Sequence, residues 1–178
     1  MKTHSILHPL FALALLAMPA AVQAQASVSI SGGANAPVGT LGDIADIGYN
    51  IAAGINLGGT AVPVGLRIEG AYNGLNLKNS GGDVRIISGA ANAIFNVGKA
   101  SDAPYLIAGL GAYNRQLNFN ALVSGKGKTV AGMNVGGGLR FPLVGLSTFF
   151  EARYHVMLGS SADAANYQFI PITFGIVF

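Results

Sequence analysis

Five charged side chains stand at alternate positions of segments that are otherwise apolar or rich in glycine. Arg67 and Glu69 are two residues apart, Glu151 and Arg153 have the same spacing, and Arg140 lies on a segment of its own. Residues two apart share one face of a β-strand, because successive side chains point to opposite faces. The spacing therefore predicts that these residues occupy the polar faces of three strands, where opposite charges can form a network of ion pairs.

Other residue types that carry out chemistry are scarce. The chain has no cysteine, and His155 is the only histidine beyond position 8, which argues against a zinc site with imidazole and thiolate ligands. The clusters Gly109-x-Gly111 and Gly136 to Gly138 lack the strand-to-helix context of a nucleotide-binding motif, and we expect them to relieve crowding in a narrow interior. We expect no catalytic, cofactor-binding or metal-binding residues.

The elements that position the charged residues are strands with one apolar face. In the last nine residues that face is formed by large apolar side chains at alternate positions, namely Ile170, Ile172, Phe174, Ile176 and Phe178. Similar alternation predicts eight strands, near residues 27–35, 47–57, 64–73, 85–97, 105–114, 132–141, 149–156 and 170–178. The two faces of the segment 105–114 cannot be told apart, because both are apolar or glycine.

The composition indicates where these apolar faces point. Hydrophobic residues make up 51% of the chain and charged residues 10%, which is unusual for a protein with a water-exposed surface. After the first two dozen residues no apolar run reaches the roughly 18 residues of a membrane-spanning helix. Dispersed apolar residues are typical of an all-β transmembrane barrel, in which an arginine facing lipid costs about 2–4 kcal/mol. The charged side chains are therefore expected in the lumen.

The predicted connections alternate in length. Longer loops are expected at 36–46, 74–83, 115–130 and 157–166, and short turns near 58–63, 98–104 and 142–147. This pattern is typical of an eight-stranded antiparallel up-and-down barrel with both termini in the periplasm. Aromatic residues near the strand ends predict two interfacial belts. The long-loop belt comprises Tyr49, Tyr72, Tyr113, Tyr154 and Tyr167, and the short-turn belt comprises Phe95, Tyr105, Phe141 and Phe178.

The first 24 residues have the pattern of a signal peptide. Lys2 precedes an apolar stretch from Leu10 to Ala17, then Pro19 and small residues up to Ala24. A membrane anchor would be longer and would lack the proline. We predict cleavage after Ala24, which leaves residues 25–178 as one outer-membrane barrel domain.

Several motifs together resemble a known family. They are Tyr105 to Gly111, Gly136 to Pro142, Phe150 to His155 and the terminal Phe178. With the signal peptide, they are similar to the small outer-membrane β-barrels of Gram-negative bacteria, of the OmpA-domain and OmpX kind. The resemblance implies insertion by the outer-membrane assembly machinery, which in this family reads the final strand and its terminal aromatic residue.

Two classes of function stay open. One is a structural or interaction protein whose loops serve envelope integrity, adhesion or contact with a host or ligand, and the other is a narrow pore or lipid-handling barrel. The resemblance also covers lipid A deacylases, which carry a His and a Ser two residues apart on one strand. Here Met157 follows His155 at that spacing, and Ser160 and Ser161 lie in the next loop, so hydrolase chemistry is disfavoured.

The expected partners of the protein are those that would contact its apolar strand faces and its loops. Outer-membrane lipid and lipopolysaccharide would contact the apolar faces, and an extracellular ligand would contact the four longer loops. Lys126 and Lys128 are placed to contact lipopolysaccharide phosphates, although a solvated loop tip is the more economical interpretation. The formal net charge is +3 and the basic residues are scattered singly, which gives no nucleic-acid footprint.

Overall fold

The computed structural model describes residues 26–58, 63–78, 81–97, 103–120, 123–124, 127–143, 146–159 and 166–178. Eight long strands and one strand of two residues form a single sheet. The strands are β1 Ala26–Val38, β2 Gly48–Leu57, β3 Val64–Asn76, β4 Asp83–Asn96, β5 Pro104–Asn120, β6 Val123–Ser124, β7 Lys128–Leu143, β8 Leu146–Met157 and β9 Tyr167–Val177. A short helix, α1, spans Gly39–Ile44.

The eight long strands close into a barrel. Each pairs antiparallel with the next long strand along the chain, and β1 pairs antiparallel with β9 from Ser29–Val177 to Val38–Gln168. A closed sheet leaves none of these long strands as an open edge. The predicted all-β, eight-stranded, up-and-down barrel is therefore confirmed.

The strands run further than the apolar alternation indicated. The β5 strand continues to Asn120 and β7 begins at Lys128, so most of the predicted loop 115–130 extends the sheet. In the same way β3 and β4 extend into both ends of the predicted loop 74–83. Polar side chains in these extensions hide the alternation, but backbone pairing does not depend on side-chain polarity.

The helix α1 lies within the predicted loop 36–46 and was not expected from the sequence. It has no side-chain cap at its amino-terminal end, so local sequence gives little signal for it. Its Leu41 is fully buried at the long-loop end of the barrel. Lys78 Nζ donates a hydrogen bond to the Gly42 carbonyl at 2.6 Å, and the Lys78 backbone N–H donates to the Ile44 carbonyl. Tertiary contacts thus hold this helix in place.

The outer face of the barrel is apolar and the inner face is largely polar. Large hydrophobic side chains are exposed around the wall, among them Ile30, Ile51, Ile68, Ile87, Leu110, Val135, Phe150 and Phe174. Buried polar side chains point inward from all the long strands, in the reverse of the arrangement in a soluble sheet. The charged residues predicted for the lumen are thus carried by the polar faces of β3, β7 and β8.

The predicted signal peptide, residues 1–24, lies outside the described residues. Within the described part of the chain, no helix combines the length and apolar character needed to cross a membrane.

Candidate functional site

Four charged side chains form a closed ring inside the barrel. Glu151 accepts from Arg67 Nη1 at 2.9 Å and from Arg153 Nε at 2.8 Å. Glu69 pairs with Arg153 Nη2 at 2.5 Å and with Arg67 Nη1 at 3.7 Å. Each of the four residues is at most 6% exposed. The ring is electrically neutral, with two positive and two negative groups.

The charge ring crosses the full width of the barrel. Arg67 and Glu69 lie on β3, and Glu151 and Arg153 lie on β8. Three long strands separate β3 from β8 in either direction around the closed sheet, so the two strands are on opposite walls. Because the order of charge is Arg then Glu on β3 and Glu then Arg on β8, each group has a partner of opposite charge across the lumen.

Neutral side chains add hydrogen bonds to Arg67 and Glu151. Arg67 Nε donates to Asn56 Oδ1 at 2.8 Å, and its guanidinium carbon lies 5.0 Å from the centre of the Phe149 ring. The Tyr105 hydroxyl donates to Glu151 Oε2 at 2.6 Å. Buried charges are tolerated when they are both paired and hydrogen-bonded, and Glu151 meets both conditions.

Arg140 is not part of the ring. It lies nearer the short-turn end, where its Nη1 donates to Asn96 Oδ1 at 2.5 Å and its guanidinium carbon lies 4.5 Å from the centre of the Tyr105 ring. The structure therefore brings together four of the five charged residues singled out in the sequence and leaves Arg140 beside them.

Clusters of apolar residues lie on both sides of the charge ring. Toward the long-loop end a cluster of buried residues fills the lumen, namely Leu41, Ala45, Leu75, Leu77, Val84, Ile86, Tyr113, Met157 and Phe169. Toward the short-turn end a smaller cluster comprises Ile94, Tyr105, Ile107 and Phe149. Between the upper cluster and the ring, Asn35 and Asn50 both donate to Asn73 Oδ1, at 2.9 and 2.8 Å.

Glycines on neighbouring strands make room for the aromatic side chains of the lumen. The Tyr105 ring lies across Gly138, where an added Cβ would collide with the ring and would lie 2.8 Å from the Phe150 carbonyl oxygen. The Tyr113 ring lies across Gly132 in the same manner, 2.6 Å from the Cβ position. The lack of a side chain at Gly138 therefore permits Tyr105 to reach Glu151.

Tyr113 was expected at the membrane interface, and that prediction is wrong. Its side chain is fully buried in the lumen, its hydroxyl is 3.0 Å from His155 Nδ1, and its ring packs edge-on against Phe169. Tyr105 is also buried in the lumen, and Tyr167 packs against the upper apolar cluster. For Tyr105 and Tyr113 the reason is that both faces of β5 are apolar or glycine, so the sequence did not show which face is inward.

The other interface candidates lie on the outer wall. Tyr49 is 51% exposed and stacks on Tyr72, with ring centres 5.9 Å apart. Tyr154 is 38% exposed, and Phe141 packs against Phe174 at 6.1 Å. Their role as interfacial anchors stays a prediction.

The final strand presents the expected face to the outside. Ile172 and Phe174 are 41% and 42% exposed, Ile170 and Ile176 are half-buried on the same face, and Phe178 is 66% exposed. Phe178 exchanges backbone hydrogen bonds with Val28. The terminal aromatic side chain is therefore accessible, while its backbone is tied to the first strand.

His155, the histidine considered for hydrolase chemistry, lies in the lumen. His155 is 4% exposed, lies against Tyr113, and stacks on Phe169 with ring centres 4.8 Å apart. The described residues contain no group of three or more His, Cys, Asp or Glu side chains able to hold a metal ion.

Solved structures of outer-membrane proteins are similar to the barrel, and two of them show the extent of the similarity. One is Neisserial surface protein A (NspA), with a TM-score of 0.65 and 16% identity over 85% of this chain and 95% of that one. The other is the N-terminal β-barrel domain of Pseudomonas aeruginosa OprF, with a TM-score of 0.52 and 18% identity over 88% and 100%. The fold is that of the small eight-stranded outer-membrane β-barrels. No family model and no curated protein sequence matches the chain, and at these identities the similarity carries the fold alone.

Proposed function

We propose that this protein is an integral outer-membrane barrel that anchors the connections β1–β2, β3–β4, β5–β7 and β8–β9 at the cell surface and does not conduct through its lumen. The observation that carries the proposal is the inversion of polarity, with exposed Ile, Leu, Val and Phe side chains on the outside and a neutral charge ring inside. An apolar outer wall is stable in contact with lipid, and a lumen filled by paired charges is typical of a closed barrel that supports loops.

The proposed orientation places the short turns and both termini in the periplasm. The first residues of β1 pair with the last residues of β9, so that Ser29 lies opposite Val177. The start of β1 and the end of β9 therefore lie at the end of the barrel that carries the connections β2–β3, β4–β5 and β7–β8. In the proposed orientation the connections at the other end face outward, where they are available to lipopolysaccharide or to an extracellular ligand.

Localisation gives the first test. We expect the protein in the outer-membrane fraction of cells that export it, with a mature amino terminus at Gln25. Membrane fractionation followed by amino-terminal sequencing measures both. Recovery in the inner membrane, or a start more than a few residues from Gln25, contradicts the proposal.

The proposal excludes a narrow pore, which is the alternative function. The charge ring crosses the lumen from wall to wall, with apolar clusters above and below it. An eight-stranded barrel whose interior is filled by side chains is not expected to support ion flow. We therefore expect negligible conductance of the purified barrel in planar bilayers. A stable open channel in single-channel recordings contradicts the filled lumen and favours a pore.

The terminal residue is proposed to act during insertion by the assembly machinery. Because the Phe178 side chain is 66% exposed, its removal deletes little side-chain packing from the folded barrel, and the backbone loses only the two hydrogen bonds with Val28. We expect deletion of Phe178 to lower the yield in the outer membrane of cells strongly and to change refolding into detergent little. Quantitative immunoblotting and refolding yields measure the two effects, and an unchanged yield in cells contradicts the proposed signal.

A further inference from the structure

A cavity opens at the short-turn end of the barrel, below the charge ring. Its volume is about 150 Å³. Its polar lining includes Arg67, Arg140, Asn56, Asn96, Ser27 and Ser147, and Ile94 and Val177 form part of its apolar wall. None of the described residues that line it is acidic.

The side-chain charges do not balance among the described residues that line this cavity. The ring neutralises Arg67 internally through Glu151 and Glu69. Arg140 adds one further positive charge, and within the described residues it makes no ion pair: its hydrogen bond goes to the neutral Asn96. Among the described side chains that line the cavity, Arg140 therefore contributes a positive charge without an acidic partner in a confined space.

Arg140 is held in a defined orientation. One N–H group is fixed by Asn96, and the guanidinium lies over the Tyr105 ring at 4.5 Å. A guanidinium has five N–H donors, so most of them stay available after the bond to Asn96. The hydroxyl groups of Ser27 and Ser147, which line the same cavity, can add further donors.

We propose that this cavity binds a single small oxyanion group of the phosphate type, with Arg140 as its main ligand. A planar guanidinium with free N–H groups matches phosphate oxygens in geometry and charge. The cavity volume limits the bound group to one phosphate, either free or at the end of a larger molecule that stays outside the mouth.

Nuclear magnetic resonance of the full mature barrel tests the site. The protein is refolded in dodecyl maltoside, which carries no phosphate, and sodium phosphate is titrated against sodium chloride of matched ionic strength. We expect the Nε–Hε signal of Arg140 and the backbone signals of Ser27 and Ser147 to shift in a saturable manner with phosphate only. The matched control is Arg85, which is exposed, paired with Asp83 and located at the opposite end, and whose signal stays constant.

Two variants complete the experiment. Arg140→Lys keeps the charge but loses the planar fork, and we expect phosphate to bind about ten-fold more weakly, as for loss of one charged hydrogen bond. In Arg140→Gln the saturable shifts of Ser27 and Ser147 disappear, while the unchanged remainder of the spectrum shows that the barrel is folded. Shifts that persist in Arg140→Gln, equal shifts at Arg85, or shifts that chloride reproduces overturn the proposal.

A second titration identifies the source of the group. Glycerol 3-phosphate carries the same phosphate on a short stem. Saturation by both compounds supports a site that accepts a terminal phosphate of a larger molecule, and saturation by inorganic phosphate alone supports a site for the free anion. Saturation by neither overturns the proposal.

Discussion

Replacing Glu151 with alanine is expected to lower the free energy of unfolding of the barrel by about 3–5 kcal/mol, the usual cost of removing one partner from a buried ion pair. Glu151 accepts hydrogen bonds from Arg67, Arg153 and Tyr105. Without it, two guanidinium groups share the single carboxylate of Glu69. Urea unfolding in lipid vesicles, followed by electrophoretic mobility and circular dichroism, measures the change.

The matched control breaks an exposed pair of the same kind. Asp83 and Arg85 form a salt bridge whose side chains are 36% and 51% exposed, so Arg85→Ala, which keeps the hydrogen bond from Asn118 to Asp83, is expected to cost less than about 1 kcal/mol. A double variant separates charge imbalance from lost packing. Glu151→Gln with Arg67→Met leaves the neutral pair of Arg153 and Glu69, and it is expected to unfold at a higher urea concentration than Glu151→Gln alone. Unfolding of Glu151→Ala at the wild-type urea concentration contradicts the role assigned to the ring.

The second large effect is expected at Gly138. A valine there would collide with the Tyr105 ring and with the Phe150 carbonyl oxygen, and it would also move the tyrosine away from Glu151. Overpacking typically costs about 1–3 kcal/mol and loss of a hydrogen bond to a charged group about 1.5–3 kcal/mol. We expect Gly138→Val to lower the free energy of unfolding by about 3 kcal/mol, measured by the same urea titration.

A glycine on the outer wall provides the comparison. A Cβ at Gly89 would have no heavy atom within 4 Å, so Gly89→Val is expected to change the stability of the folded barrel by less than about 1 kcal/mol. Truncating the ring that Gly138 accommodates should also reduce the damage. A loss in Gly138→Val that is as large in the Tyr105→Leu background as in wild type would falsify the assignment of this glycine as the position that accommodates Tyr105.

The barrel was predictable from the sequence because its wall has two distinct faces. In β2 large apolar residues alternate with Asn, Gly and Ala, and in β8 Phe150 and Tyr154 alternate with Glu151 and Arg153. Such a period of two fixes both the strand and the face that points inward. The inward position of the ring residues follows from that pattern alone.

The pairing within the lumen was not predictable in the same way. The choice of ion-pair partners depends on strand register and on the position of β3 and β8 on opposite walls. Neither is visible in the sequence of a single strand.

The tyrosines of β5 were placed wrongly because glycine and apolar residues occupy both faces of that strand. The inward face of β5 is indicated by the neighbouring strand, because Gly132 and Gly138 on β7 make room for the rings of Tyr113 and Tyr105. This relation depends on the register between β5 and β7, which the sequence does not show. The helix α1 was not predicted because it is stabilised by the packing of its Leu41 into the barrel, and this contact is not visible in the local sequence.

The charge ring joins residues that are far apart along the chain. Arg67 and Glu151, like Glu69 and Arg153, are 84 positions apart, so their contacts form only after most of the strands have been ordered. Interactions of such long range are made late during folding, and interactions that are absent from the transition state slow unfolding without speeding folding. We therefore expect the ring to act chiefly on the rate at which a completed barrel opens. The lifetime of the protein in its membrane would then depend on contacts between two opposite walls that form late in folding.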